Sequence, residues 1–103
     1  MDYEEIQTRV FAAMNNVVSR YDKERLKIAL SLDTRFMDLD FDSLDGAEFA
    51  CELSDILGLE VPEEELCTLR GDSSRAYQNI TLKDVVDYIS RNYSRFEKTS
   101  SRV

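Results

Sequence analysis

Apolar residues at Ile6, Val10, Phe11, Met14, Val17, Val18 and Tyr21 recur three and four positions apart, the spacing that lines one face of an α-helix. A strand cannot use that spacing, because its side chains alternate between two faces. Asp2, Glu4 and Glu5 stand at the start of this stretch, where unpaired backbone N–H groups favour negative charge. The same period returns at Leu82, Val85, Val86, Ile89 and Tyr93, behind Thr81 as a helix cap. With only 3 Gly and 1 Pro in 103 residues, the chain lacks the punctuation of a turn-rich β-sandwich. One helical domain is expected, small enough to bury only part of its surface.

Between these two stripes the pattern is less regular. Leu26, Ile28, Leu30, Leu32, Phe36 and Leu39 are too many apolar residues for a free linker. They predict a long loop packed over the helices, with one helical turn in it. A second helix starts at Asp42 or Ser43, both good N-cap residues. Its apolar face runs through Leu44, Ala47, Cys51, Ser54 and Leu57, widened by Ala50 and Leu53. Gly58 closes it, and Pro62 blocks continuation. Pro62 in the first turn and the acids Glu63, Glu64 and Glu65 suit a short third helix, ending near Leu69. Residues 70–79 are polar and read as an exposed loop. The expected fold is therefore all-α, a small four-helix bundle with a long first loop and a short third helix. The domain would cover residues 1–93, with 94–103 as a flexible tail.

The formal net charge of −8 argues against nucleic acid, whose phosphates are met by clustered Lys and Arg. It argues equally against docking on anionic membranes, and no run of residues is long enough to span one. A basic patch on another protein is the natural complement. The absence of histidine removes the commonest general base and metal ligand, so no acid–base constellation of an enzyme is visible. Cys51 and Cys67 form no CxxC pair. Cys51 sits in the apolar pattern as a core thiol, and Cys67 stands alone, which suits a reduced, cytoplasmic setting without a signal peptide.

Eleven acids lie between Arg35 and Arg70 with no Lys or Arg among them. On the second helix Asp45, Glu48, Glu52 and Asp55 recur every three or four residues, so they share one side. Like charges at that spacing cost roughly 0.2–0.5 kcal/mol per pair, and a base-free face that accepts the cost points to a function. Calcium is one reading, since Asp38, Asp40 and Asp42 imitate the opening of an EF-hand loop. Ser43 and Phe49 then occupy the positions that need Gly and a bidentate Glu, so the loop fails at both.

The other reading starts from Asp42-Ser43-Leu44-Asp45, followed by Glu48, Leu53 and an acid and an aliphatic before Pro62. From Asp42 to Pro62 the chain resembles the acyl carrier protein family without a gap. Leu39 and Phe36 match the family's approach to this motif, and Thr81 to Ile89 is similar to its last helix. The resemblance implies a bundle of the acyl-carrier type. It also implies that a phosphopantetheinyl transferase moves a 4'-phosphopantetheine arm from coenzyme A onto Ser43, and that the arm's thiol carries acyl groups as thioesters. Ser43 has no neighbouring base, so the transferase must supply it. What the chain offers is a hydroxyl at a helix N-terminus, where N–H groups stabilise a phosphodiester.

By the same resemblance, Asp42, Asp45, Glu48, Glu52 and Asp55 would face basic patches on acyl-transferring or ketosynthase-type enzymes, with Leu44 as an apolar contact. Apolar residues of the second and last helices would part to shelter a fatty chain. Three departures mark a specialised carrier of fatty acid, lipid or polyketide chemistry. Asp40 and Phe41 stand where the family has a glycine shortly before Asp-Ser, and Phe41 is either a partner contact or part of the core. Gly46 lies inside a helix at a cost of up to about 1 kcal/mol relative to Ala, either to leave room for the arm or a partner or as local looseness. The stretch before the last helix is longer than the family's. The initiating Met and single-domain length favour a free-standing, monomeric carrier. The alternative is a carrier-shaped acidic domain that is never modified and only binds a basic partner.

Overall fold

A computed structural model of the protein describes residues 1–21 and 29–100. Leu26 and Ile28 of the expected packed loop, and the last residues of the expected tail, lie outside the described residues. Among the described residues the chain forms α1 (Tyr3–Tyr21), a 3-10 turn (Phe36–Leu39), α2 (Ser43–Leu57), α3 (Glu63–Cys67), α4 (Ser74–Gln78) and α5 (Leu82–Ser100). The all-α bundle is as the sequence predicts. It has one more short helix than expected, because α4 occupies the stretch read as an exposed loop.

The stripe of α1 sets the frame. Ile6, Val10, Ala13, Met14, Val17 and Val18 are buried, and α1 packs on both α2 and α5. At its start Asp2 accepts a hydrogen bond from the Glu5 N–H at 2.8 Å, satisfying one of the orphan donors there. The long loop is pinned to the start of α5 by main-chain bonds. Leu82 N–H donates to the Thr34 carbonyl at 3.0 Å and Lys83 N–H to the Leu32 carbonyl at 2.9 Å. Phe36 N–H donates back to the Ile80 carbonyl at 2.9 Å. These bonds place the one expected helical turn, which buries Phe36 and Leu39, directly before α2.

The buried face of α2 differs from the predicted one. Gly46, Phe49, Ala50, Leu53 and Leu57 point inward, while Leu44 is 66% exposed and Cys51 is exposed. Both stripes are apolar at helical spacing. Phe49 decides between them, since one buried ring outweighs a cysteine and an alanine in area removed from water. Cys51 is therefore a surface thiol. Ser54 is a tether: its hydroxyl donates to the Ala50 carbonyl and accepts from the Val61 N–H. Gly58 closes the helix in the left-handed conformation (φ 67°), which a residue without Cβ adopts at little cost.

Pro62 is the cap of α3 rather than its first turn, and α3 stops at Cys67. In α5, Thr81 and Asp84 exchange hydrogen bonds in a capping box: Asp84 N–H to Thr81 Oγ1 at 3.1 Å, and Thr81 N–H to Asp84 Oδ2 at 3.0 Å. The helix then continues through residues 94–100, which were expected to be tail. Phe96 explains the extension. It is 2% exposed, its ring centroid 5.5 Å from that of Tyr88, and Arg95 pairs with Glu65 of α3.

Candidate functional site

Asp42 caps α2, and this releases Ser43. The Asp42 carboxylate accepts from the Asp45 N–H at 2.9 Å, and the Asp45 carboxylate accepts from the Asp42 N–H at 3.0 Å. Ser43, the first helical residue, is exposed and has no capping to do. The chain reaches this start through Asp40, whose φ of 58° lies in the left-handed region that Asp tolerates better than most residues. A left-handed residue here accounts for the glycine that the family resemblance leads one to expect.

The capping box uses Asp45 up. It is only 7% exposed, so this member of the predicted partner face serves the helix start instead. Phe41 is corrected as well. It is 5% exposed, with its ring centroid 5.2 Å from Phe36 and 6.2 Å from Phe49, and of the two expectations the inward one describes it. Asp42 and Asp55 are exposed, and Glu48 and Glu52 partly so. Nor is the acidic side without a base in three dimensions. Arg20 of α1 pairs with Glu52 and lies 3.9 Å from Glu48, and Asn16 donates to Glu52 at 3.2 Å.

Gly46 leaves room for Tyr77. A Cβ on Gly46 would stand 2.6 Å from the Tyr77 hydroxyl oxygen and 3.0 Å from Cys67 Sγ. From that notch the Tyr77 hydroxyl donates to the Asp42 carbonyl at 2.6 Å, one residue before Ser43. Its ring stacks edge-on to Phe36 at 5.2 Å. Burial first, then the charges of Cys67, Asp45 and Asp42, push the Tyr77 hydroxyl above the ordinary tyrosine range, so it stays a donor. Burial, and then Glu63, likewise raise the Cys67 thiol, which makes it a poor nucleophile. Between α2 and α4 lies a groove of about 430 Å³, with Phe41, Asp42 and Ser43 on one side and Asp72, Ser73, Ser74 and Gln78 on the other. Sequence reasoning missed Tyr77 and α4. The signal was present as an unexplained Gly46 beside an over-long polar stretch holding one aromatic.

A family model described as a phosphopantetheine attachment site matches residues 21–89. The chain belongs to that family. Neither the comparison with curated proteins nor that with solved structures found a match. The protein is thus a phosphopantetheine-carrying carrier domain, and domains of this kind carry a covalent 4'-phosphopantetheine without being catalysts themselves. The residues present fit such a group. An exposed hydroxyl stands at the start of a helix, where backbone N–H groups favour a phosphate, and it lines a groove. No helix among the described residues is long and apolar enough to cross a membrane.

Proposed function

We propose that Ser43 is the attachment residue of this carrier domain and that the arm delivers acyl groups as thioesters to partner enzymes. The observation that carries the reading is the division of labour at the start of α2. Asp42 does the capping, and Ser43 stands exposed beside it in the Asp-Ser-Leu-Asp stretch that the matched region contains. In the transfer, Ser43 Oγ attacks the pyrophosphate phosphorus that bears the pantetheine arm of coenzyme A. The P–O bond to the adenosine bisphosphate breaks, and the serine proton passes to a base of the transferase.

Partner recognition is assigned to Asp42, Glu48, Glu52 and Asp55 with Leu44, the largest exposed hydrophobic of the helix. Arg20 already neutralises part of this face, so Asp42 and Asp55 offer the stronger attraction to a basic partner. The users of the arm are acyl-transferring or ketosynthase-type enzymes of a fatty acid, lipid or polyketide pathway, in a reducing, cytoplasmic setting. Incubation with coenzyme A and a phosphopantetheinyl transferase, followed by intact mass, tests the assignment. One arm is expected on the wild type and none on Ser43→Ala. A wild type that gains no arm while a control carrier does would leave a carrier-shaped binding domain instead.

A further inference from the structure

The short helix α4 contributes no buried residue, so packing of the core does not account for it. What it builds is a wall. Asp72, Ser74 and Gln78 line the groove opposite Ser43. They are exposed, and no hydrogen bond among the described residues engages their side chains. The inner side of the groove is apolar, made by Phe41, Cys67 and the ring of Tyr77. An apolar lining with a few polar groups is the make-up of a small-molecule site. The groove's volume of about 430 Å³ falls within the roughly 300–1,000 Å³ that such sites occupy.

With the arm on Ser43, one occupant is tethered at the edge of this groove. Past its phosphate the arm is uncharged and amphipathic: a dimethyl branch and methylenes alternate with a hydroxyl and two amides. The branch suits Phe41, Cys67 and Tyr77. The amide N–H groups suit the Asp72 carboxylate, and the amide carbonyls suit the Gln78 amide and the Ser74 hydroxyl. Because the arm is covalently held, seating it costs no translational freedom.

Two other grooves lie nearby. One of about 550 Å³ is lined by Pro62, Glu64, Cys67 and Thr68; it shares Cys67 with the first and so extends it along α3. The other, of about 410 Å³, lies between α2 and the connection to α3, beside Ala47, Cys51 and Val61. Neither is lined by Ser43. The last starts one helical turn along α2, at Ala47, whereas the first begins at the attachment residue itself.

We propose that the groove between α2 and α4 is a resting seat for the arm. The phosphopantetheine lies over Cys67 and against α4 between deliveries, and leaves this seat to reach a partner enzyme. The inference rests on Ser43 carrying the arm.

The two cysteines report on the grooves separately, Cys67 on the seat and Cys51 on the groove beside Ala47. The test loads the protein from a coenzyme A analogue lacking the thiol, so that the arm adds no sulfur, and confirms loading by intact mass. Alkylation of each cysteine by iodoacetamide is then timed by peptide mass in the bare and the loaded protein. Cys67 is expected to slow about tenfold on loading, the worth of burying roughly two methylene-sized groups of the arm, with Cys51 unchanged. Amide chemical shifts give a second readout that does not require Cys67 to react. Loading should move the signals of Cys67, Tyr77 and Gln78 and leave those of Cys51 and Val61 in place. Slowing of Cys51, or shifts at Cys51 and Val61, would put the arm in the other groove and overturn the proposal. An unaltered Cys67, with shifts confined to the neighbours of Ser43, would leave the arm in solvent and overturn it as well. Failure to gain any arm, seen beforehand by mass, would instead sink the assignment of Ser43.

Discussion

The helices α2 and α5 begin with the same device, yet only one beginning is left open. Asp42 with Asp45 and Thr81 with Asp84 both exchange reciprocal hydrogen bonds between cap and third residue. At α5 the next donors are consumed as well, since Leu82 and Lys83 N–H groups donate to carbonyls of the long loop. At α2 no hydrogen bond among the described residues engages the N–H groups of Ser43 or Leu44. The neighbouring contact is instead Tyr77, which holds the carbonyl of Asp42 and leaves the donors to solvent. A capping box by itself therefore says little about function. What separates a structural helix start from one that can receive a phosphate is whether the rest of the chain has already satisfied its donors.

Gly46→Ala strikes hardest at the open start. Overpacking costs about 1–3 kcal/mol, of which the helix preference of Ala returns up to about 1 kcal/mol. A net loss of about 1–2 kcal/mol in urea unfolding is expected. Tyr77→Phe removes the oxygen that the new Cβ would meet at 2.6 Å, so the double variant should lose less than the sum of the two. Strict additivity would show that the notch is not what holds Tyr77. At the closed start, Thr81→Ala should cost about 1 kcal/mol while attachment of the arm proceeds unchanged.

That closed start also carries a pH signature. Burial works to raise the Asp84 carboxyl, but hydrogen bonds from Arg70 and Thr81 outweigh it and hold the group below its ordinary value. A depressed folded value means stability that is complete above the unfolded carboxyl range, near pH 4. It is lost as pH falls through the lowered value. Asp84→Asn should flatten the acid limb of the stability curve. An unchanged limb would remove Asp84 from the account.

Much of this was legible in the sequence, and the misses have physical causes. The stripes of α1 and α5 were readable because a long helix repeats its period often enough to fix one face. The caps at Gly58 and Thr81 were readable, and that of α2 to within Asp42 or Ser43, because capping is a local property. The inward face of α2 was not, because two apolar stripes compete there and the partners of Phe49, Phe36 and Phe41, lie outside the helix. Arg20 could not be assigned to Glu52 across 32 residues of chain, so the acidic face looked barer than it is. The helix α4 escaped notice because five residues carry little periodicity and form a helix only with tertiary support. That Ser43 stands exposed at the start of a helix was legible in the sequence. The residues that shape its surroundings, Tyr77 and Asp72 to Ser74, were not.

The smallest effect lies just ahead of α2, and it separates the two helix starts by their approaches. The chain enters α5 extended, through the isolated antiparallel bridge between Arg35 and Thr81. It enters α2 through Asp40, the one non-glycine residue with positive φ among those described. The left-handed conformation costs most L-residues about 1–2 kcal/mol, and a short polar side chain meets part of that cost by local hydrogen bonding. Asp40→Gly would relieve the strain but lose about 0.5–1 kcal/mol through the freer unfolded chain. The two nearly cancel, so a change smaller than about 0.5 kcal/mol in unfolding free energy is expected. Asp40→Val has no such compensation and should cost about 1–2 kcal/mol. The pair of substitutions reads the backbone alone: if valine is as harmless as glycine, the approach to Ser43 is not left-handed in solution, and the open start of α2 is reached by another path.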